Sequence, residues 1–244
     1  MNVHVVSFDL WGTLITHGDR RAEAAWRVAE FSRVLAEFGH RFTPDEVLRV
    51  VTEVREQTST DQRRDGVQIS ARDQIAIMAA RLGVSDPALI DVLVVPHTHA
   101  VLRACPALMP HATEALTAVR ASRRTLVLTS NTLATPGKVT RQLLDHLGIG
   151  SMFERFFFSS DLGFTKPRPE VFTAIAEAAA VAPERIVHIG NEWRSDVAAP
   201  MAAGCHAVWF NPYREPERAE APSIARLAEV EDALAALEVQ GVPA

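Results

Sequence analysis

Four short segments of the sequence place polar, chemically capable side chains directly after apolar runs. The first is Val5-Val6-Ser7-Phe8-Asp9-Leu10-Trp11-Gly12-Thr13-Leu14. A carboxylate such as Asp9 at the end of a buried strand can attack an electrophile and form an ester-type intermediate. Gly12 lets the backbone approach a ligand closely, and neighbouring main-chain N–H groups can hold an anion. The second segment is Leu126-Val127-Leu128-Thr129-Ser130-Asn131, where a small hydroxyl and an amide offer donors with little bulk. The third is Lys166-Pro167-Arg168-Pro169-Glu170, whose ammonium can neutralise a carboxylate and a bound anion. The fourth, Val187-His188-Ile189-Gly190-Asn191-Glu192-Trp193-Arg194-Ser195-Asp196, ends in an acidic residue suited to a cation or to orienting a lysine. Taken singly, each segment also fits a plain structural role. These are a turn-capping Asp, a Ser/Asn turn, a surface lysine and a helix N-terminus with an acid in its first turn.

What must position these residues is a set of alternating strands and helices. Apolar, β-rich runs fall at Val3–Phe8, Thr125–Thr129, Phe156–Ser159, Ile186–Ile189 and Ala207–Phe210. Helical patterns fall at Pro136–Leu147, Pro169–Val181 and Ser195–Ala203, with a further helix near Ser223–Leu237 after a Glu/Arg/Pro-rich loop. Continuous apolar strands alternating with helices predict an α/β fold, a doubly wound Rossmann-like parallel sheet covered on both faces. Ligands of such sheets gather at the carboxyl ends of the strands, where all four segments lie.

Between the first two strands the pattern changes to four helices. One spans Arg20–Phe38, with an apolar stripe at Ala24, Val28, Phe31, Val34, Leu35 and Phe38. The next opens at Thr43-Pro44-Asp45-Glu46, an N-cap with Pro at the first helical position and Glu at the third. A third runs from Ser70 to Gly83, and a fourth from Asp86-Pro87 to about Ala104, with a kink or break expected at Pro96. The chain therefore divides into a core of residues 1–15 and 106–244 and an inserted four-helix cap of residues 16–105.

Charge and composition narrow the classes. The net charge of −5 argues against a nucleic-acid partner, which calls for a basic stripe. The longest apolar runs fall short of the ~20 residues of a membrane span, and the N-terminal MNVHVVSFDL lacks the basic and apolar regions of a signal peptide. The two cysteines, Cys105 and Cys205, lie far apart in no metal-ligand spacing and read as reduced thiols. These features predict a cytoplasmic protein acting on a small-molecule anionic substrate, without membrane or nucleic-acid partners.

The order of the segments FDLWGTL, TSN, KPRPEVF and GNEWRSDVAAPMAAG, with a helical insert after the first, resembles the haloacid dehalogenase superfamily. The likeness is to the subclass with a cap between the first and second motifs, and it covers nearly the whole chain. It implies a hydrolase with Asp9 as covalent nucleophile, Ser130 binding the transferred group and Lys166 stabilising the charges. Trp11, Gly12, Thr13 and Asn131 would meet the substrate, and Asp9, Asn191 and Asp196 would hold Mg2+. Two departures stand out. The position two after the nucleophile, an acid in phosphatases of this family, is Trp11, which cannot protonate a leaving group. The first acidic position of the fourth motif is the neutral Asn191, a poorer ligand for a hard cation, so Mg2+ binding is expected to be weakened.

Three activities are consistent with these departures: phosphoryl hydrolysis of a substrate with a good leaving group, metal-free hydrolysis of a 2-haloacid, and binding without efficient turnover. Other titratable residues read as structural. His97 and His99 point to different sides of one helix, His188 reads as a satisfied core histidine, and Arg63-Arg64 as a solvated turn.

Overall fold

A computed structural model describes residues 2–216 and 218–240. Its sheet has six parallel strands in the order β3-β2-β1-β4-β5-β6. In chain order these are β1 Val5–Phe8, β2 Thr125–Ser130, β3 Arg155–Phe158, β4 Ile186–Gly190, β5 His206–Phe210 and β6 Ser223–Ile224. The helices are α1 Arg20–Glu37, α2 Pro44–Asp65, α3 Ala71–Arg81, α4 Pro87–His99, α5 Ala112–Ala121, α6 Gly137–His146, α7 Ser159–Leu162, α8 Glu170–Ala179, α9 Ala199–Ala202 and α10 Val230–Gln240.

The nucleophile strand is central because it is apolar on both faces. Val6 and Phe8 join Leu126, Leu128, Val187 and Ile189 in a core covered by α5, α6 and α10. Val5, Val127 and Ile186 face Val171, Phe172 and Ile175 of α8. On that second face, two residues further along each strand, stand Ser7, Thr129 and His188, all buried. The alternation of strand side chains thus sets three polar groups together beneath the carboxyl edge.

Helices α1 to α4 pack around a separate apolar cluster that includes Phe31, Leu35, Val50, Val54, Ile75, Leu89 and Leu93. The capping box predicted at Thr43 and Glu46 forms, with Thr43 N donating to Glu46 Oε2 at 2.7 Å and Glu46 N to Thr43 Oγ1 at 3.3 Å. Helix α4 does not break at Pro96. It runs on to His99 and tightens into a 3-10 turn over Ala100–Arg103. Nearby Thr98 Oγ1 donates back to the carbonyls of Val94 and Val95.

Three other expectations are corrected. The tail helix starts at Val230 rather than Ser223, because Ser223–Ile224 joins the sheet edge instead, with Trp209 N on Pro222 O and Asn211 N on Ile224 O. The expected helix Ser195–Ala203 is a π-helical turn over Trp193–Ala198 followed by α9. Pro200 has no N–H to continue a regular ladder there. Helix α5 forms where no element was expected, burying Ala112, Ala115, Leu116 and Val119 at helical spacing. Among the described residues no helix is long and apolar enough to cross a membrane.

Candidate functional site

Strand β1 lies between β2 and β4, so the residues that follow these three strands meet at one edge. Asp9 N donates to Ile189 O at 2.9 Å, which fixes the end of β1 against β4. The chain then turns at Gly12, whose φ is 79°. A side chain at Gly12 would strike Asn191, since a Cβ there lies 2.8 Å from its Nδ2. Only glycine permits this approach.

Lys166 closes the site. Its Nζ donates to Asp9 Oδ1 at 2.8 Å, Asp196 Oδ1 at 2.6 Å and Thr129 O at 3.1 Å. All three side chains are buried, Lys166 to 2 % exposure. An ammonium has three N–H donors, and all three are used. Burial works against its charge, but Asp196 and then Asp9 outweigh that and hold Lys166 above its ordinary pKa. Burial would likewise raise Asp196, yet Lys166 and the hydrogen bond from His188 keep it well below the usual carboxylate range. Asp9 goes the other way: burial dominates, opposed by Lys166 and reinforced by Asp196, and its pKa rises to about 6.

His188 is bound into this centre. Its Nε2 lies 3.2 Å from Asp196 Oδ1 and its Nδ1 2.9 Å from Ser7 Oγ, which is 2.7 Å from Thr129 Oγ1. Burial, and next the charge of Lys166, lower its pKa to about 4, so the ring is neutral. With the lysine's donors already spent, Nε2 carries the ring proton and gives it to Asp196. Nδ1 then accepts from Ser7, and Ser7 from Thr129. Phe172 packs edge-on to the ring at 5.0 Å. The histidine is a satisfied core residue, as the sequence suggested, and also a support for Asp196, which the sequence did not reveal.

The remaining predicted residues divide. Asp9, Trp11, Asn131, Lys166, Asn191 and Asp196 line one cavity. Thr13 does not, being fully buried. Its Oγ1 reaches Asp9 Oδ2 at 3.3 Å and Asn191 Oδ1 at 3.1 Å, so it braces both. Gly12 is likewise a packing requirement and not a lining group. Ser130 is buried outside the cavity lining, with Oγ 3.3 Å from Asn131 O. Asn131 spends its amide on the main chain of Lys166, donating to its O at 2.7 Å and accepting from its N at 2.8 Å. Ser130 thus turns its hydroxyl to the main chain, while Asn131 fixes the lysine with its carbonyl oxygen and one amide N–H and keeps the second N–H. Arg63, read as a solvated turn residue whose charge could also meet an anionic substrate, lines the cavity, as do His17, Arg20 and Trp193.

The donor set limits what cation can sit here. Asp9 Oδ1 and Asp196 Oδ1 face Lys166, and Asp196 Oδ2 accepts from Glu192 N at 2.9 Å. Asp9 Oδ2 and the neutral Asn191 Oδ1 remain, converging on Thr13. Among the described residues no three His, Cys, Asp or Glu side chains form a metal cluster. Mg2+ favours six hard oxygens in an octahedron. One carboxylate oxygen beside one amide oxygen, both within reach of Thr13 Oγ1, completed by main chain and water, fits a loosely held ion and not a tight one. Asp196 faces the lysine and the histidine with Oδ1 and Glu192 N with Oδ2.

The helical layer is fastened beside these residues. Gln62 Nε2 donates to Thr132 O at 2.9 Å and Gln74 Nε2 to Leu133 O at 2.7 Å. Ser159 Oγ donates to Gln68 Oε1 at 2.7 Å, and Thr165 N to Gly66 O at 3.0 Å. The loops bearing Asn131 and Lys166 are thus held directly by α2, α3 and the turn between them.

A haloacid dehalogenase-like hydrolase family model matches residues 3–204. The phosphoglycolate phosphatase of Salmonella typhimurium (strain LT2) is 28% identical over 221 residues, covering 85% of this chain and 81% of that enzyme. Among solved structures, the 2-haloacid dehalogenase from Pseudomonas syringae pv. Tomato DC3000 has a TM-score of 0.65 at 21% identity, covering 96% of this chain and 99% of its own. A HAD phosphatase from Thermococcus onnurineus has a TM-score of 0.62 at 20% identity, covering 96% and 98%.

Replacing His188 by Leu removes a donor from Asp196 and strands Ser7 Oγ. The expected cost is about 1–3 kcal/mol, the penalty of an unsatisfied buried polar group, read as a lower urea midpoint. A midpoint equal to the native protein's contradicts the role given to His188.

Proposed function

The chain belongs to the haloacid dehalogenase-like hydrolases, and within that family we propose that it hydrolyses a small phosphorylated anion through a covalent intermediate on Asp9. The observation that carries this reading is the Lys166 bridge. An ammonium 2.8 Å from Asp9 sits where it neutralises the nucleophile and an arriving phosphoryl group together. The phosphoglycolate phosphatase relative supports a phosphoryl substrate.

An Asp9 carboxylate oxygen attacks phosphorus, the bond to the leaving oxygen breaks, and that oxygen departs with the electron pair. Water then attacks the phosphorus of the aspartyl phosphate, Asp9 leaves as a carboxylate, and the proton passes to the phosphate product. Trp11 can give no proton to the leaving oxygen, so the substrate must release a group stable as an anion, such as the carboxylate of an acyl phosphate. Asp9 Oδ2 and Asn191 would hold Mg2+, which would supply neutralising charge for the phosphoryl group.

In this reading residues 16–105 are a cap that closes over a core of residues 1–15 and 106–244, excluding water. The separate apolar cluster of α1 to α4 supports that division. The substrate is met in the cytoplasm.

Trp11 and Asn191 favour a second reading, hydrolytic dehalogenation. There Asp9 attacks carbon, halide leaves with its electron pair and needs no proton, and water cleaves the ester at its acyl carbon.

Assays of acetyl phosphate and 2-chloropropionate, each with and without Mg2+, separate the two. Phosphate release by the native protein, lost in folded Asp9→Asn, is the expected result. Undiminished phosphate release in Asp9→Asn contradicts the intermediate, and halide release without metal replaces the first reading by the second.

The pH profile follows from the raised pKa of Asp9. The nucleophile must be ionised, so kcat/KM should rise with pH through an acid limb near 6 and level off above it. A limb at the ordinary carboxylate pKa, near 4, contradicts the burial argument.

A further inference from the structure

The four inserted helices pack around apolar residues, yet polar side chains that the site does not use are buried among them. Arg27 of α1 is 1 % exposed, His97 of α4 2 % and Gln74 of α3 1 %. None of the three lines the cavity at Asp9. Groups of this kind destabilise a fold unless their polar atoms find partners. Arg27 pairs with Glu23 and donates from Nε and Nη2 to His97 O, each at 3.3 Å, so α1 holds the end of α4. His97 Nε2 then lies 3.1 Å from Gln74 Oε1.

The direction of that last bond is set by the other contacts of Gln74. Its Nε2 donates to Ile69 O at 3.0 Å and to Leu133 O at 2.7 Å, which uses both amide protons. Oε1 can only accept, so His97 Nε2 carries the ring proton. Burial, and then Arg27 and Arg55, lower the pKa of His97 to about 3, so the ring is neutral and Nδ1 bears no proton. Nδ1 has no hydrogen-bond partner among the described residues. Turned the other way, the Gln74 amide would set its oxygen against two carbonyls. His97 therefore secures the one orientation in which Gln74 bridges Ile69, between α2 and α3, to Leu133, in the loop after β2.

We propose that His97 is a positioning residue for Lys166, acting through Gln74 and the loop after β2. Leu133 lies two residues beyond Asn131, whose side chain holds both main-chain polar atoms of Lys166. Between them, Thr132 O accepts from Gln62 Nε2 and Thr132 N donates to Ser159 Oγ. Apolar contact alone has no direction and would let the helical layer slide over the core. The buried path from Glu23 through Arg27, His97 and Gln74 to Leu133 O is directional, and it ends on the loop that grips the lysine. Its effect on turnover rests on the reading of Asp9 and Lys166 given above, whereas the placement of the loop does not.

Amide hydrogen exchange on the full chain without ligand tests this, because Thr132 N, Thr165 N and Lys166 N are all hydrogen-bonded across these contacts. His97→Leu has no donor for Gln74, and Gln74→Glu has none for Leu133 O. Either change should speed exchange at the three amides about tenfold relative to the amides of β1, the scale of one lost hydrogen bond. His97→Gln, whose side-chain amide can still donate to Gln74, should return exchange close to native. His97→Met and Gln74→Met, also without the donor in question or its charge, serve where the first variants do not fold. Native exchange at these amides in the donor-free variants, acceleration no greater there than in β1, or no recovery in His97→Gln overturns the proposal. Phosphate release from acetyl phosphate by the same variants reads the consequence: kcat should fall where exchange accelerates and recover in His97→Gln. Unchanged kcat beside accelerated exchange overturns the link to Lys166. Absence of phosphate release by the native protein removes the phosphoryl reading instead, and the exchange result then decides the placement by itself.

Discussion

A single ammonium group is held between two buried carboxylates. Lys166 Nζ lies 2.8 Å from Asp9 and 2.6 Å from Asp196, in a place with little water to share the charge. Two carboxylates brought this close repel unless a cation stands between them, and a lysine buried this deeply loses its proton unless carboxylates surround it. Each group is therefore possible only because of the other two. Removing one member of such a buried set costs about 3–5 kcal/mol, because an uncompensated charge remains behind.

Much of the surrounding structure serves that arrangement. Asn131 grips both main-chain polar atoms of Lys166. Thr129 contributes its carbonyl to the lysine and its hydroxyl to the chain through Ser7 to His188 and Asp196. Gly190 leaves room for Asp196, since a Cβ there lies 2.5 Å from the carboxylate carbon. The helical layer joins the same loops through Gln62, Gln74 and Gly66, so a displacement of α2 is transmitted to residues adjoining Asn131 and Lys166.

The first five strands and the four inserted helices were legible because their signals are local. Continuous apolar runs give strands, helical stripes and caps give helices, and a carboxylate just after a central strand marks the site. Asp9, Lys166, Asn191 and Asp196 were found that way and do meet. The supports were harder to read. Ser7, Thr129 and His188 lie within strands, and only register shows that three polar residues share one face. Gln62 and Gln74 sit on amphipathic helices whose orientation over the core is not encoded in periodicity. Ser130 and Asn131 have the right chemistry at the right edge, yet Asn131 bonds the main chain of Lys166, 35 residues away, and Ser130 turns to the carbonyl of its neighbour Asn131. The π turn at Trp193–Ala198, beside which Glu192 N is held on Asp196 Oδ2, has no signature in helical periodicity.

In the proposed reaction the carboxylate held by Lys166 is the group that becomes esterified. Rapid acid quenching during turnover of acetyl phosphate, followed by peptide mass spectrometry, examines that bond itself. A phosphoryl adduct is expected on the peptide containing Asp9, formed within one turnover and lost as substrate is exhausted. Phosphate release with no adduct on that peptide, or an adduct confined to another residue, would contradict it.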